Sequence, residues 1–377
     1  MSGIIRLQAP GVPTGSSDWA TIAWIIISLF WIILLFTDLL DKSRIMRYDR
    51  FIRIKLASLE KMIQEAKSAS EKYISSLGVQ NPRLVVDGFI GNFFLIEPVS
   101  IEPTDIIKRL SHLIRVRDSK IKIYVEELLP KNIDKVKKMN LAVLLEINWV
   151  LDLYYRYIRH LYLYSRKHNN WILLMQLAMI LPIILKELEA FKRAVEPFSK
   201  GVPVGDSAGP MVVSLLAPHA ERIPIEEDTV YSEIEFEGRR VYLIKAEGPG
   251  GAVGRPGEAL SILIERLGGR VARVITVDAA LKFEGEESGS VAEGVGAAIG
   301  DPGPEKISIE RSVVKHNIPL DAVIIKMSSR EAITEMTKEI YEGVKRAAER
   351  VKEIIRVRTS PGDNVIVIGV GNTIGVL

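Results

Sequence analysis

Carboxylates, an amide side chain and closely spaced glycines follow the apolar segments in the C-terminal half of the chain. Glu247 and Gly251 come after one such segment, Asp278 after a second, and Gly371 and Asn372 after a third. If the segments are parallel strands, their carboxyl ends share one edge of a sheet, and open α/β sheets bind ligands at that edge. The spacing therefore predicts one ligand-binding edge assembled from distant parts of the sequence.

The elements that must position these residues alternate between strand and helix over residues 201–377. This alternation is typical of the α/β class and predicts a mostly parallel sheet with helices on both faces, a three-layer α/β/α domain. The predicted strands are 241–246, 271–277, 322–326 and 365–368. The predicted helices are 209–216, 257–267 and 330–357.

Composition narrows the class of protein. The 377 residues include 50 Lys and Arg against 47 Asp and Glu, a net charge of +3, so neither a basic groove nor a nucleic-acid partner is expected. The absence of cysteine excludes disulfides, thiolate catalysis and cysteine-bound metal. The sequence has no nucleotide-binding glycine motif, and we predict no cofactor.

The N-terminal region predicts a membrane anchor. Residues 19–37 carry no charge and are rich in Ile, Leu, Phe and Trp, which is long enough for a membrane-spanning helix. Basic residues outnumber acidic ones over 41–56, and a basic flank stays in the cytoplasm. A cleaved signal peptide is the alternative, but the stretch lacks a basic start and a small-residue cleavage site. We predict a transmembrane anchor over 19–38, with 1–18 as a short extracytoplasmic tail.

This anchor would place the protein in the cell membrane as a single-pass protein with its C-terminal domain in the cytoplasm. The lipid bilayer is then its first predicted partner.

The middle region, 41–200, has the periodicity of helices. Residues 44–77 form a long amphipathic helix whose apolar and small residues repeat at alternating spacings of four and three, as in a heptad seam. Such a seam can pair with a second copy of the chain, giving a homo-oligomer. It can also pack against its own chain, and the small residues within it favour that alternative.

A helical hairpin is predicted over 140–198, with a break at 168–170. Its second arm is uncharged over 169–185 and could be a second membrane span. Basic residues flank it on both sides, however, and it is short for a span, so a buried arm is favoured.

Two separated motifs resemble one motif of known enzymes. Gly-Val-Gly-Asn at 369–372 and Gly-Asp-Ser-Ala-Gly-Pro at 205–210 resemble the first strand and following turn of the spore germination protease and the hydrogenase-maturation endopeptidases, where the two are contiguous. Here their order is swapped. The segments 246–258, 274–280, 289–303 and 318–326 also resemble that protease. The resemblance implies a circularly permuted phosphorylase/hydrolase-like fold over 201–377.

The arrangement of anchor, helical region and C-terminal domain also resembles an archaeal family of uncharacterised membrane proteins.

The protease resemblance implies a pair of catalytic carboxylates, Asp206 and Asp278. Two carboxyl groups at one edge repel, so that the pair can hold one proton, activate water and protonate a leaving amine. Each aspartate has a structural alternative, Asp206 as the N-cap of a helix and Asp278 as a residue that orders a turn. The amides of Gly251 and Gly371 and the Asn372 side chain are expected to donate to an oxyanion. The predicted binding residues are Glu247, Gly251, Asp301, Gly371 and Asn372.

The endopeptidases place two acids and a histidine around a metal. His316 follows Asp278 in the sequence, but no paired-histidine spacing accompanies it, so no metal site is predicted.

The expected function is that of a membrane-anchored, peptidase-like hydrolase that acts on a polypeptide substrate at the cytoplasmic face. The alternative is a non-catalytic, membrane-anchored binding or scaffolding protein that uses the same edge for a protein partner.

Overall fold

The structure, a computed structural model, describes residues 18–36, 38–94, 96, 98, 105–300 and 303–377. Asp301, one of the predicted binding residues, lies outside them. The N-terminal half is helical where it is described. Its helices are α1 (Asp18–Phe36), α2 (Asp38–Ser76), α3 (Pro82–Asn92), α4 (Ile106–Leu128), α5 (Lys135–Lys167) and α6 (Trp171–Lys200).

The chain divides into two compact units. One comprises the described parts of Met1–Leu56 together with Ile158–Leu181, and the other comprises Ala57–Tyr157 and Pro182–Leu377. In the first unit, the buried carboxylate of Asp49 accepts a hydrogen bond from the Tyr162 hydroxyl at 2.7 Å. It also pairs with the guanidinium groups of Arg53 and Arg166 at 2.8 and 3.2 Å. A buried charge requires such partners, and here they join α2 to α5.

Helix α1 forms where the anchor is predicted. It spans 19 residues, and its side chains from Ile22 to Ile33 are almost all apolar and are exposed.

The seam of α2 is buried in the chain itself. Ile52, Leu59, Ile63 and Ser70 are each less than 5% exposed. The Ser70 hydroxyl accepts a 2.7 Å hydrogen bond from the Asn148 amide of α5. The seam therefore packs against its own chain, and it is not a free surface for pairing with a second copy.

Helices α5 and α6 form the predicted hairpin. The chain breaks at Asn169, which has φ of +50°, and the Asn170 side chain accepts from the Leu173 N–H at 3.0 Å. Helix α6 buries Leu174 and Leu181 and exposes a second apolar face, and so it is only partly the buried arm that the sequence favours. Among the described helices, α6 is long and apolar enough to cross a membrane. Its exposed apolar residues include Ile172, Met179, Ile180 and Ile183.

The C-terminal domain is built on a seven-stranded sheet with the order β1-β2-β3-β7-β4-β6-β5. Its strands are β1 (Ile223–Glu226), β2 (Thr229–Phe236), β3 (Arg239–Ala246), β4 (Arg273–Leu281), β5 (Val291–Val295), β6 (Leu320–Met327) and β7 (Asn364–Gly369).

The sheet is mixed, so the prediction of a mostly parallel sheet is wrong. The strands predicted from the sequence, β3, β7, β4 and β6, are parallel and adjacent. The unpredicted strands β1, β2 and β5 pair antiparallel at the two edges. Strands β2 and β3 are joined by Glu237 and Gly238, both with positive φ, as a two-residue hairpin turn requires.

Helices cover both faces of the sheet. Helices α7 (Ala208–Leu216) and α11 (Lys338–Arg358) pack with Leu243, Val277 and Val367 on one face. Helices α8 (Pro256–Arg266) and α9 (Pro304–Lys315) pack with Ile244 and Ile368 on the other. These two cores use alternate residues of the same strands, which explains why the central strands are continuously apolar. A further helix of the domain is α10 (Ser329–Ile333).

The single helix predicted over 330–357 is two helices. The Ser328 hydroxyl caps α10 by accepting from the Glu331 N–H, and the Thr337 hydroxyl caps α11 by accepting from the Ile340 N–H. A second N-cap inside the predicted span starts a new helix.

Candidate active site

Asp278 lies where the central strand β7 leaves the sheet. The last paired residue of β7 is Gly369, opposite Val277, and the next N–H, that of Val370, donates to the Val277 carbonyl at 2.8 Å. Strand β4 continues alongside β6. Asp278, 4% exposed, is therefore held inside β4 beside the gap that β7 leaves.

Backbone amides hold both oxygens of the Asp278 carboxyl group. Oδ1 accepts from the N–H of Ala279 at 2.7 Å, and Oδ2 accepts from the N–H of Gly300 at 3.0 Å. The second bond joins β4 to the segment after β5. Strand β4 continues to Leu281, so Asp278 does not order a turn at a strand end; it anchors a distant segment instead.

Asp206 lies in the 3₁₀ turn Gly205–Ser207, directly before α7. Its Oδ2 accepts from the N–H of Asn372 at 2.8 Å. The motifs at 205–210 and 369–372 therefore meet in space, as their rotated order predicts. Helix α7 has Ser207 at its N-cap position, so Asp206 is not the N-cap of this helix.

Gly371 allows the segments 205–210 and 369–372 to approach each other closely. Its φ is +127°, and a Cβ atom at this position would lie 2.0 Å from the Asp206 carbonyl oxygen. A side chain would therefore separate the C-terminal segment from the turn that carries Asp206.

Both aspartates line one cavity of about 610 Å³. Its walls are mostly small or apolar, and among the described residues that line it none is Lys, Arg or His. The walls include Val253, Ala279, Ala280, Leu281, Ala297, Ala298, Gly300, Ser328, Val370 and Gly371. The cavity therefore presents two acids without a cation to neutralise them.

Burial and proximity act unequally on the two acids. Burial raises the pKa of Asp206, and the Asn372 N–H opposes that rise. Burial raises the pKa of Asp278 well above its ordinary value, and the charge of Asp206 raises it further. The negative charge of an ionised Asp206 therefore favours the protonated form of Asp278.

Two predicted site residues lie away from this cavity. The Gly251 N–H donates to the Asn140 side chain at 3.0 Å, in a groove lined by α4 and α5. The Glu247 carboxylate pairs with Lys135 at 2.5 Å. Both residues thus connect the sheet domain to the helical region instead of facing the acids.

Asn372 binds Asp206 through its main-chain N–H and not through its side chain. Its side-chain oxygen accepts from the Ile374 N–H at 2.9 Å, which orders the turn after β7. The hydroxyl of Thr373 then donates to the carbonyl of Glu247 at 3.0 Å, tying this segment to the end of β3.

The sequence reasoning missed two contributors to the site. One is Gly300, whose amide binds Asp278 from a glycine-rich segment that gives no positional signal. The other is Ser328, which lines the cavity and whose hydroxyl donates to Glu331 at 2.7 Å. The Ser-x-x-Glu spacing is a capping-box signal and could have placed a helix start here.

His316 does not join the acid pair. It lines a different cavity, formed by α4, α8 and α9. Over the residues that the structure describes, no three His, Asp or Glu side chains are grouped so that they could hold a metal ion.

The fold and site define a two-part chain, a helical region followed by an α/β/α domain with a mixed sheet and a buried acid pair. Two family models match along the same division. The Protein of unknown function (DUF1512) N-terminal domain matches residues 25–201, and the Domain of unknown function (DUF1512) C-terminal matches residues 204–377. The chain therefore belongs to the DUF1512 family. No curated protein matches it.

Proposed function

We propose that the chain is a membrane-anchored, peptidase-like hydrolase in which Asp206 and Asp278 act as an acid pair. One observation carries the proposal: two carboxyl groups share a cavity whose described lining includes no cation, and Asp278, which is 4% exposed, has its pKa raised both by burial and by the other's charge. Pairs of acids whose environments separate their pKa values are typical of sites that perform acid and base catalysis together.

The proposed reaction is hydrolysis of an amide bond. Ionised Asp206 takes a proton from a water molecule, and the water oxygen bonds to the carbonyl carbon. Protonated Asp278 gives its proton to the leaving nitrogen as the carbon–nitrogen bond breaks. The pair ends with the proton on Asp206 and the charge on Asp278, and exchange with solvent restores the starting state.

Gly371 is the oxyanion donor in this proposal. It lines the cavity, and among the described residues its N–H has no hydrogen-bond acceptor. The Gly251 N–H is already bound by Asn140, and the Asn372 oxygen is bound to Ile374. Gly371 therefore replaces both as the group that stabilises negative charge on the substrate oxygen.

The cavity walls favour an uncharged substrate. The described lining residues include no Lys or Arg that could pair with a phosphate or a carboxylate, and an ionised Asp206 would repel either. Alanine and glycine walls leave room for an extended main chain. These features support a polypeptide as the substrate class.

We also propose that α1 anchors the protein in the cell membrane as a single span, with the acid pair on the cytoplasmic side. The exposed apolar side chains from Ile22 to Ile33 and the basic residues over 41–56 support this. Removing residues 1–37 tests it: the shortened protein should leave the membrane fraction. If it stays there, α6 is the span instead.

A second candidate is a non-catalytic, membrane-anchored binding protein. Three backbone amides, those of Asn372, Ala279 and Gly300, already bind the two carboxyl groups. The same bonds are expected if the two carboxyl groups have only a structural role, which is to fix the C-terminal segment. The cavity would then be free to bind a protein partner.

An assay with fluorescently labelled, unfolded polypeptide separates the two candidates. Purified full-length protein should release peptides, and Asp206→Asn or Asp278→Asn should each lower the rate by about 100-fold or more. Glu310→Gln removes one exposed carboxylate from α9, outside the cavity, and should have no effect. No turnover by the folded wild-type protein, or equal rates in all variants, contradicts the hydrolase.

A further inference from the structure

We propose that a second cavity, bounded by α4, α8 and α9, binds a small molecule that carries phosphate groups. The cavity has a volume of about 540 Å³, which is in the usual range for small-molecule sites. Each helix contributes one face, so that residues far apart in the sequence meet there. Lys108, Ser111, His112 and Arg115 come from α4, at helical spacing.

The cavity is strongly cationic. Four basic side chains, those of Lys108, Arg115, Arg311 and Lys315, line it against two carboxylates, and two histidines add imidazole nitrogens. This is the opposite of the acid cavity, where the described lining residues include no cation. Cations that converge on one concave surface attract anionic ligands.

The two carboxylates are already engaged within the protein. Glu258 pairs with Arg115. Glu305 accepts from the Gly257 N–H at 2.7 Å, in the first turn of α8, and burial raises its pKa. Neither carboxylate is therefore placed to neutralise the rest of the cavity.

Lys108 and Arg311 remain as uncompensated cations. In the part of the chain that the structure describes, neither has a carboxylate within 4.0 Å. Lys315 has only a 3.4 Å pair with Glu265, and both of those side chains are largely exposed. A ligand could therefore bind these groups without breaking a buried ion pair.

The chemistry of the lining favours phosphate over carboxylate ligands. Hydroxyls of Ser111, Ser261 and Ser308 line the same walls as the cations. A phosphate has several oxygens that can accept from hydroxyls, ammonium and guanidinium groups together. Inorganic phosphate would fill only a small part of 540 Å³, so the ligand is larger, such as a diphosphate or a phosphate ester.

Binding of inorganic pyrophosphate to the purified full-length protein, measured by isothermal titration calorimetry, tests this proposal. The wild-type protein should bind, and the affinity should fall by about tenfold or more in the double variant Lys108→Gln and Arg311→Gln. Lys306→Gln is the matched control, because it removes a cation from the same helix, α9, at a position outside the cavity lining. Circular dichroism verifies that each variant is folded.

The outcomes are distinct. No binding by the wild-type protein, or equal losses in the double variant and in Lys306→Gln, overturns the proposal. Vesicles of phosphatidylglycerol, with phosphatidylcholine vesicles as the neutral control, identify the source of the ligand. Displacement of pyrophosphate by the anionic vesicles alone assigns a lipid headgroup, and retained binding assigns a free phosphate compound.

Discussion

The acid cavity and the cationic cavity differ in the groups that form them. The acid cavity holds Asp206 and Asp278, fixed by the main-chain N–H groups of Asn372, Ala279 and Gly300. The cationic cavity between α4, α8 and α9 is lined by side chains of three helices, and one ion pair, between Arg115 and Glu258, lies within it. Main-chain bonds hold a group in one geometry, as catalysis needs, whereas long side chains adjust to a ligand.

The largest effect is expected where the first turn of α7 packs against the backbone of β4 and of the segment after β7. In Gly209→Ala, the new Cβ would lie 2.2 Å from the Val370 carbonyl oxygen and 2.5 Å from that of Val277. We expect a loss of roughly 3 kcal/mol or more in the free energy of unfolding, measured with a chemical denaturant. Gly294→Ala in β5 is the control, because nothing lies within 4 Å of its Cβ. Equal stability of the two variants would show that these segments do not meet as described.

The pH dependence of stability should separate the acid cavity from the rest of the domain. Between the ordinary carboxyl value of 3.8 and its raised pKa, Asp278 binds a proton in the folded chain and has lost it in the unfolded chain. The contribution of Asp278 to the free energy of unfolding should therefore fall as the pH rises through this range. Asp278→Asn should reduce that slope, and Glu310→Gln should not. Denaturant titrations at several pH values measure it, and an unchanged slope in Asp278→Asn contradicts the assignment.

The electrostatic interaction between the two aspartates predicts a smaller effect, which is a change in the pKa of Asp278. In Asp206→Asn the neighbouring charge is lost, so the pKa of Asp278 should decrease. It should stay above 3.8, because burial is the larger cause of its shift. Carboxyl carbon chemical shifts followed by NMR during a pH titration report this directly. An unchanged pKa would mean that the two acids do not interact.

The smallest expected effect is a change in the affinity of the cationic cavity for pyrophosphate. Glu258→Gln removes the carboxylate that pairs with Arg115 and frees that guanidinium for a ligand. Pyrophosphate affinity should rise by a few-fold, which is the scale of a partly exposed charge. Glu265→Gln, which acts on the more exposed pair with Lys315, should raise it less. A decrease in either variant would argue that the carboxylates hold the cations in their binding positions.

The sequence predicts the centre of the sheet better than its edges. Strands β3, β4, β6 and β7 are buried on both faces and read as continuous apolar runs, which are easy to recognise. The edge strands carry weaker signals: β1 has four residues and a proline, and β5 contains Glu293 and Gly294. The strands that the sequence did not predict all pair antiparallel, and the predicted sheet was therefore mostly parallel.

The same reasoning explains what could be predicted of the two cavities. The contact between Asp206 and Asn372 follows from one motif split between two places in the sequence. The cationic cavity could not be predicted, because Lys108 and Arg311 come from helices about 200 positions apart that no shared motif connects. Likewise, the pairing of Gly251 with Asn140 depends on how α5 packs against the sheet domain.

The protonation state of Asp278 above the ordinary carboxyl pKa of 3.8 tests the central claim most directly. Infrared spectra of the folded protein, recorded as the pH rises from that value, should still show the carbonyl stretch of a protonated carboxylic acid. Part of this band should be lost in Asp278→Asn and none of it in Glu310→Gln, since other buried acids such as Glu305 also contribute. If the wild-type protein shows no such band, or if the band is equally strong in Asp278→Asn, the two aspartates do not share a proton as proposed.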